Sequence, residues 1–192
     1  AGLNMANMSL GSDTQEQYDL MGASNNMMIG FTVGATGLFE LSDLVNLSTE
    51  LNFTQKGTNI SVNGIIDDFK TKLNFIDIAP SASFNIVEGF SVNVGPYIGF
   101  ALSGTHTVQT TDLNTGETTV TSEAIDFEKD EVNTLDYGLN VGVSYVLNEM
   151  IDLRAGYSLG LADMNAADQG DLDLSTKNNA IYFTVGYLFN RY

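Results

Sequence analysis

Three features of the sequence predict an all-β fold: an eight-stranded antiparallel up-and-down transmembrane β-barrel. Apolar residues alternate with small polar ones through segment after segment, the period of a strand with two unlike faces. The connections alternate long (10–26, 58–69, 105–133, 162–177) and short (42–46, 88–89, 148–150), as in a meander with long loops at one rim and tight turns at the other. The apolar faces also carry too much aromatic and aliphatic volume to fit inside an eight-stranded ring. A lipocalin-like barrel would turn those faces inward around a ligand, whereas a membrane barrel turns them to lipid, and volume favours the second.

The first strand is Gly2–Ser9, followed by a polar loop with Asp13, Glu16 and Asp19. Met27–Leu41 sets Phe31, Val33, Ala35, Phe39 and Leu41 against Gly30, Thr32, Gly34, Thr36 and Glu40, and Leu47–Gly57 sets Leu47, Leu51 and Phe53 against Ser48, Glu50, Asn52, Thr54 and Lys56. After a polar loop containing Asp67 and Asp68, Lys70–Val87 places Ile76, Ile78, Ala82, Phe84 and Ile86 on the oily face. Its opening Leu73-Asn74-Phe75 breaks that register and calls for a bulge or a change of environment, and Pro80 removes a ladder donor. Phe90–Gly104 alternates cleanly, with Asn93, Gly95, Tyr97, Gly99 and Ser103 on the small face. Thr134–Leu147 and Ile151–Leu161 repeat the pattern. Ala180–Phe189 closes the ring, with Ile181, Phe183, Val185, Tyr187 and Phe189 on one face. Phe39, Phe84, Phe90, Tyr145, Tyr187 and Phe189 fall beside the short turns and would form an interfacial girdle.

The 192 residues suit one barrel domain spanning 1–192. Charged residues make up only 16%, so Gly, Ser, Thr and Asn supply much of the polarity. No apolar run approaches the ~18–20 residues of a membrane helix. A net charge of -17 makes nucleic acid and anionic lipid surfaces poor partners, since binding them requires Lys and Arg to displace counterions. The chain has no cysteine, which excludes disulfides and thiolate metal sites. Ala1–Leu10 has no basic segment ahead of an apolar core, so no signal peptide is expected in it, and the start at Ala1 suggests a mature form.

With the strands placed, the chain resembles the Bacteroidota outer-membrane β-barrel family, the PorT-like group, from end to end. The resemblance rests on Gly2–Asn7 (GLNMAN), Leu51–Gly57 (LNFTQKG) with Glu50 before it, Phe75–Pro80 (FIDIAP), Gly95–Gly99 (GPYIG), Asp136–Leu139 (DYGL) and Tyr157–Leu161 (YSLGL). An extra residue between Ile78 and Pro80 and the Asn190-Arg191-Tyr192 tail depart from the pattern. The resemblance implies an outer-membrane barrel with both termini in the periplasm, and no single shared activity.

The inward charges are Glu40, Glu50, Lys56, Asp77, Asp136, Asp152 and Arg154. Arg154 is the one inward arginine, which suggests a polar plug centred on it with Glu50, Asp77 or Asp136; a proton or ion path is the sharper reading of the same residues. His106 with Ser103 and nearby carboxylates suggests a hydrolase only weakly, because no nucleophile elbow accompanies them. Asp168, Asp171 and Asp173 have a spacing that could take Ca²⁺, although it is not the EF-hand pattern. Thr105–Glu123 is the best binding candidate: Thr105, Thr107, Thr119 and Thr121 favour strands, and Asp112, Asn114 and Gly116 supply a turn. This predicts a hairpin projecting past the membrane, with an edge able to pair with a partner strand. The expected role is non-enzymatic, structural or interactive, without a cofactor. Expected partners are outer-membrane lipid or lipopolysaccharide and other outer-membrane or surface proteins; a narrow porin-like channel is the alternative.

Overall fold

Strand pairing closes a ring. The computed structural model describes residues 1–62, 66–112, 115–167 and 172–189, with the side chains of 62, 66 and 67 left aside. In chain order the elements are β1 (Gly2–Leu10), α1 (Ser12–Met21), β2 (Ala23–Ser42), β3 (Val45–Val62), β4 (Ile66–Val87), β5 (Phe90–Thr111), β6 (Thr118–Ala124), β7 (Leu135–Leu147), β8 (Ile151–Gly160) and β9 (Thr176–Tyr187). Every neighbouring pair is antiparallel, β1 joins both β2 and β9, and β5 joins both β4 and β7. Eight strands thus form the barrel, and β6 attaches outside the ring to the far half of β5.

The wall obeys the alternation in the sequence. Val141, Val143, Tyr145, Leu153, Tyr157, Phe183 and Val185 point outward and stay exposed, while Asp136, Ser144 and Asp152 are buried inside. An exposed apolar belt on a ring with no open hydrogen-bonding edge is the solution a strand protein finds in hydrocarbon. At the turn end Phe90 lies opposite Tyr145 and Val45 opposite Phe84. Tyr187 and Phe189 meet edge to face there, at 5.0 Å.

The polar connections are more ordered than their composition suggests. The first long loop holds α1, which ends on Gly22 in the left-handed conformation (φ 63°), and β2 already starts at Ala23. The expected loop 58–69 is largely strand: β3 runs to Val62 and β4 begins at Ile66, tied by Asn59 and Ser61 donating to the Asp68 carboxylate at 3.2 and 3.0 Å. Beyond the belt the outward face no longer meets lipid and turns polar (Asn59, Ser61, Asp68, Lys70), so the apolar alternation that marks a strand fades while the ladder continues. For the same reason β9 begins at Thr176, earlier than the expected Ala180.

The broken register at Leu73-Asn74-Phe75 has two parts. On β5, Leu102 is the extra residue of a bulge, since Asn74 pairs with Ser103 and Phe75 with Ala101. On β4 the alternation continues, so Leu73 and Phe75 point inward and are 0% exposed. They meet Met8, Ile125 and Met164 in an apolar core at the long-loop mouth, with Ala101, Phe127 and Val132 packed against it.

Candidate functional site: the closed lumen and the projecting hairpin

β3, β4 and β7 bring the innermost charges together. Lys56 Nζ lies 3.1 Å from Asp77 Oδ1 and 2.9 Å from Asp136 Oδ2. Tyr97 and Asn178 each donate to Asp136 at 3.2 Å. The Lys56 ammonium also sits 4.3 Å from the Tyr97 ring centre and 4.9 Å from that of Phe75. A buried cation needs this much: two carboxylates and two ring faces replace its hydration.

Arg154 forms a second cluster nearer the short turns. Its guanidinium pairs with Glu50 across the barrel and with Asp152 at 2.7 Å. The expectation that Asp77 or Asp136 would join Arg154 is corrected, because both belong to Lys56; Glu50 does pair with Arg154. Glu40 is exposed and lines the turn-end mouth, a cavity of about 470 Å³ that reaches up to Arg154 and Asp152. Between the clusters lies a cavity of about 60 Å³ lined by Asn4, Thr54, Asn140 and Tyr182, wide enough for a few water molecules. Tyr182 is seated against Gly156, where a Cβ would fall 2.3 Å from its hydroxyl.

Above Lys56 the lumen is closed by the apolar core. The segment after β6 folds back over the mouth, Ile125 N–H donating to the Gly104 carbonyl at 2.9 Å and Asn133 N–H to the Met164 carbonyl at 2.9 Å. Asn133 Nδ2 donates to the Asp163 carbonyl at 2.8 Å, and Asn165 Nδ2 to that of Leu174 at 3.0 Å. Asp173 joins α1 to this cap by accepting from Ser12 N–H at 3.1 Å and from the Ser175 hydroxyl at 2.7 Å. These bonds, that of the Ser175 hydroxyl foremost, hold the Asp173 carboxyl below the usual carboxylate range. Asp168 and Asp171, the other calcium candidates, lie outside the described residues. Among the described residues no cluster of three or more His, Asp or Glu side chains is arranged to hold a metal ion.

β5 and β6 form the projecting hairpin. Thr105 pairs with Ala124, Thr107 with Ser122, Thr110 with Thr119 and Val108 with Thr121. Thr107 and Ser122 hydroxyls lie 3.0 Å apart. At the turn Gly116 takes a left-handed φ of 70°, and its N–H donates to the Asp112 carbonyl at 2.7 Å; Asn114 lies outside the described residues. Among the described residues β6 has β5 as its single neighbour, so its other edge is unpaired. Ser103 and His106 do not meet. The Leu102 bulge leaves Ser103 exposed beside Asn74, while His106 Nδ1 is 3.1 Å from the Thr71 hydroxyl and its ring stacks on Phe69 at 5.3 Å.

None of the curated proteins matches the chain in sequence. Among solved structures, Neisserial surface protein A is similar in fold, with a TM-score of 0.50 at 16% identity over 98% of this chain and 94% of that one. Ail, the attachment invasion locus protein of Yersinia pestis, aligns with a TM-score of 0.48 at 12% identity over 97% of this chain and 93% of that one. The family described as outer membrane protein beta-barrel domain matches residues 1–165. The chain belongs to that family and is a transmembrane β-barrel of the outer membrane.

Proposed function

We propose that this barrel is a non-conducting, non-enzymatic surface-interaction element, a single domain over residues 1–192, of the Bacteroidota PorT-like kind. Its short turns and termini face the periplasm, and its cap and hairpin face outside. The observation that carries this reading is the double closure of the lumen. Leu73, Phe75, Ile125 and Met164 seal the outer mouth, and the Lys56 cluster lies directly beneath. A hydrated ion would have to disrupt both layers. The placement of Ser103 and His106 on opposite faces supports the absence of hydrolytic chemistry. What is left to meet other molecules is the outer wall, the cap and the unpaired edge of β6, for lipopolysaccharide or for other outer-membrane and surface proteins.

A narrow channel is the second reading, favoured by the mouth cavity that rises to Arg154. Planar-bilayer recording separates the two. The native barrel and Arg154→Ala should both be silent, since the apolar core stays closed in both. Stepwise currents from the native protein would establish the channel.

A further inference from the structure

Among the described residues the cations are few. Lys56 and Arg154 are inside. Lys129 pairs with Asp126 at 2.9 Å, and Lys177 stands alone on β9. Lys70 and Lys72 are the two that fall together, two residues apart on β4. Thr71 and Leu73 point inward and are buried, so both lysines lie on the outward face. The register sets Thr107 opposite Lys70 and Thr105 opposite Lys72.

The wall beneath them is graded. Directly below Lys72, Asn74 accepts from Gln55 Nε2 at 3.0 Å and donates to the Ser103 hydroxyl at 2.9 Å, a polar ladder across β3, β4 and β5 on the lipid-facing side. Lower still come Phe53, Ile76 and Phe100. Along about 20 Å of β4 the surface therefore passes from apolar, through amide and hydroxyl, to paired ammonium. Acyl chains, ester and amide linkages and phosphate follow one another in the same order in a membrane phosphoglycolipid. Asp68, one step further from the membrane, is occupied by Asn59 and Ser61.

We infer that this strip of β3, β4 and β5 seats a phosphorylated glycolipid of the lipid A type, its phosphate held by Lys70 and Lys72 with Thr105 and Thr107 beside them. The inference rests on the proposed orientation, which puts the strip in the outer leaflet. A net charge of -17 gives no general attraction to anionic lipid, so retention must come from this local arrangement.

The test uses the full chain in zwitterionic nanodiscs, with lipid retained per barrel read by native mass spectrometry. The probes are bisphosphorylated lipid A, its dephosphorylated form and phosphatidylglycerol. The expected result is retention of bisphosphorylated lipid A about tenfold above both other lipids. Lys70→Gln/Lys72→Gln should bring it down to the dephosphorylated level, and Lys129→Gln should leave it unchanged. Equal retention of lipid A with and without phosphate by the native chain would overturn the inference without any variant. Equal retention of phosphatidylglycerol, or a double variant that folds and holds lipid A as the native chain does, would overturn it too. Amine labelling of Lys70 and Lys72 on intact cells tests the orientation separately.

Discussion

Lys56 Nζ and Asp136 Oδ2 stand 2.9 Å apart although eighty positions separate them in sequence, with side chains only 4% and 0% exposed. Lys56→Met would leave Asp77 and Asp136 facing each other without a cation. Destabilisation of about 3–5 kcal/mol follows. Replacing all three by Met and Leu should recover most of the loss. Urea unfolding in detergent micelles reads both, and a fully tolerated Lys56→Met would show that the cluster contributes nothing to stability.

On the outer wall, Val143→Arg puts a charge against hydrocarbon and should cost ~2–4 kcal/mol or block assembly. Val120→Arg, on the exposed hairpin outside the ring, should change stability by no more than about 0.5 kcal/mol. The comparison is made by unfolding in lipid vesicles; equal tolerance would remove the lipid-facing assignment of β7.

Gly156→Ala should destabilise by about 1–3 kcal/mol through overpacking, because the new methyl meets the Tyr182 hydroxyl and ring carbon at 2.3 and 2.4 Å. Combining it with Tyr182→Leu should restore part of the loss, the contact 2.7 Å from the Val141 carbonyl oxygen remaining. If Tyr182→Leu gives no rescue, the clash lies elsewhere.

Acid should release α1 from the cap. The Asp173 carboxyl is held below its ordinary value in the folded chain, so its contacts stabilise fully above the unfolded value of about 3.9. That contribution is lost as pH falls through the lower folded value. Amide protection at Ser12 and Ser175, corrected for intrinsic exchange, should therefore drop below about pH 4 while β7 stays protected. Asp173→Asn should abolish this acid dependence.

The membrane-spanning parts of the strands were legible because lipid imposes one greasy face, so Leu135–Leu147 declares its register residue by residue. The extensions at 23–26 and 58–62 were not, because there the outward face leaves the lipid and no longer has to be apolar. Which inward charges meet was only half legible. Alternation says that Lys56, Asp77 and Asp136 point inward, but the stagger of the ring decides that they meet one another and that Glu50 reaches Arg154. The apolar core left two signals: the misfit at Leu73-Asn74-Phe75, and isolated apolar residues (Ile125, Phe127, Val132, Met164) in otherwise polar connections. Gly142 gave no such sign. Its place on the small inward face suggests only that Gly142→Ser is milder than Val143→Arg, yet a Cβ there would lie 2.7 Å from the Ala155 carbonyl oxygen and 2.9 Å from the Tyr182 hydroxyl.

The chain has no native cysteine, so spin labels can be placed one at a time along Leu139–Tyr145 of β7 in lipid vesicles. Oxygen accessibility should peak at Leu139, Val141, Val143 and Tyr145 and fall at Asn140, Gly142 and Ser144, with a period of two. A flat profile, or peaks at the second set, would contradict a barrel that shows its apolar face to acyl chains.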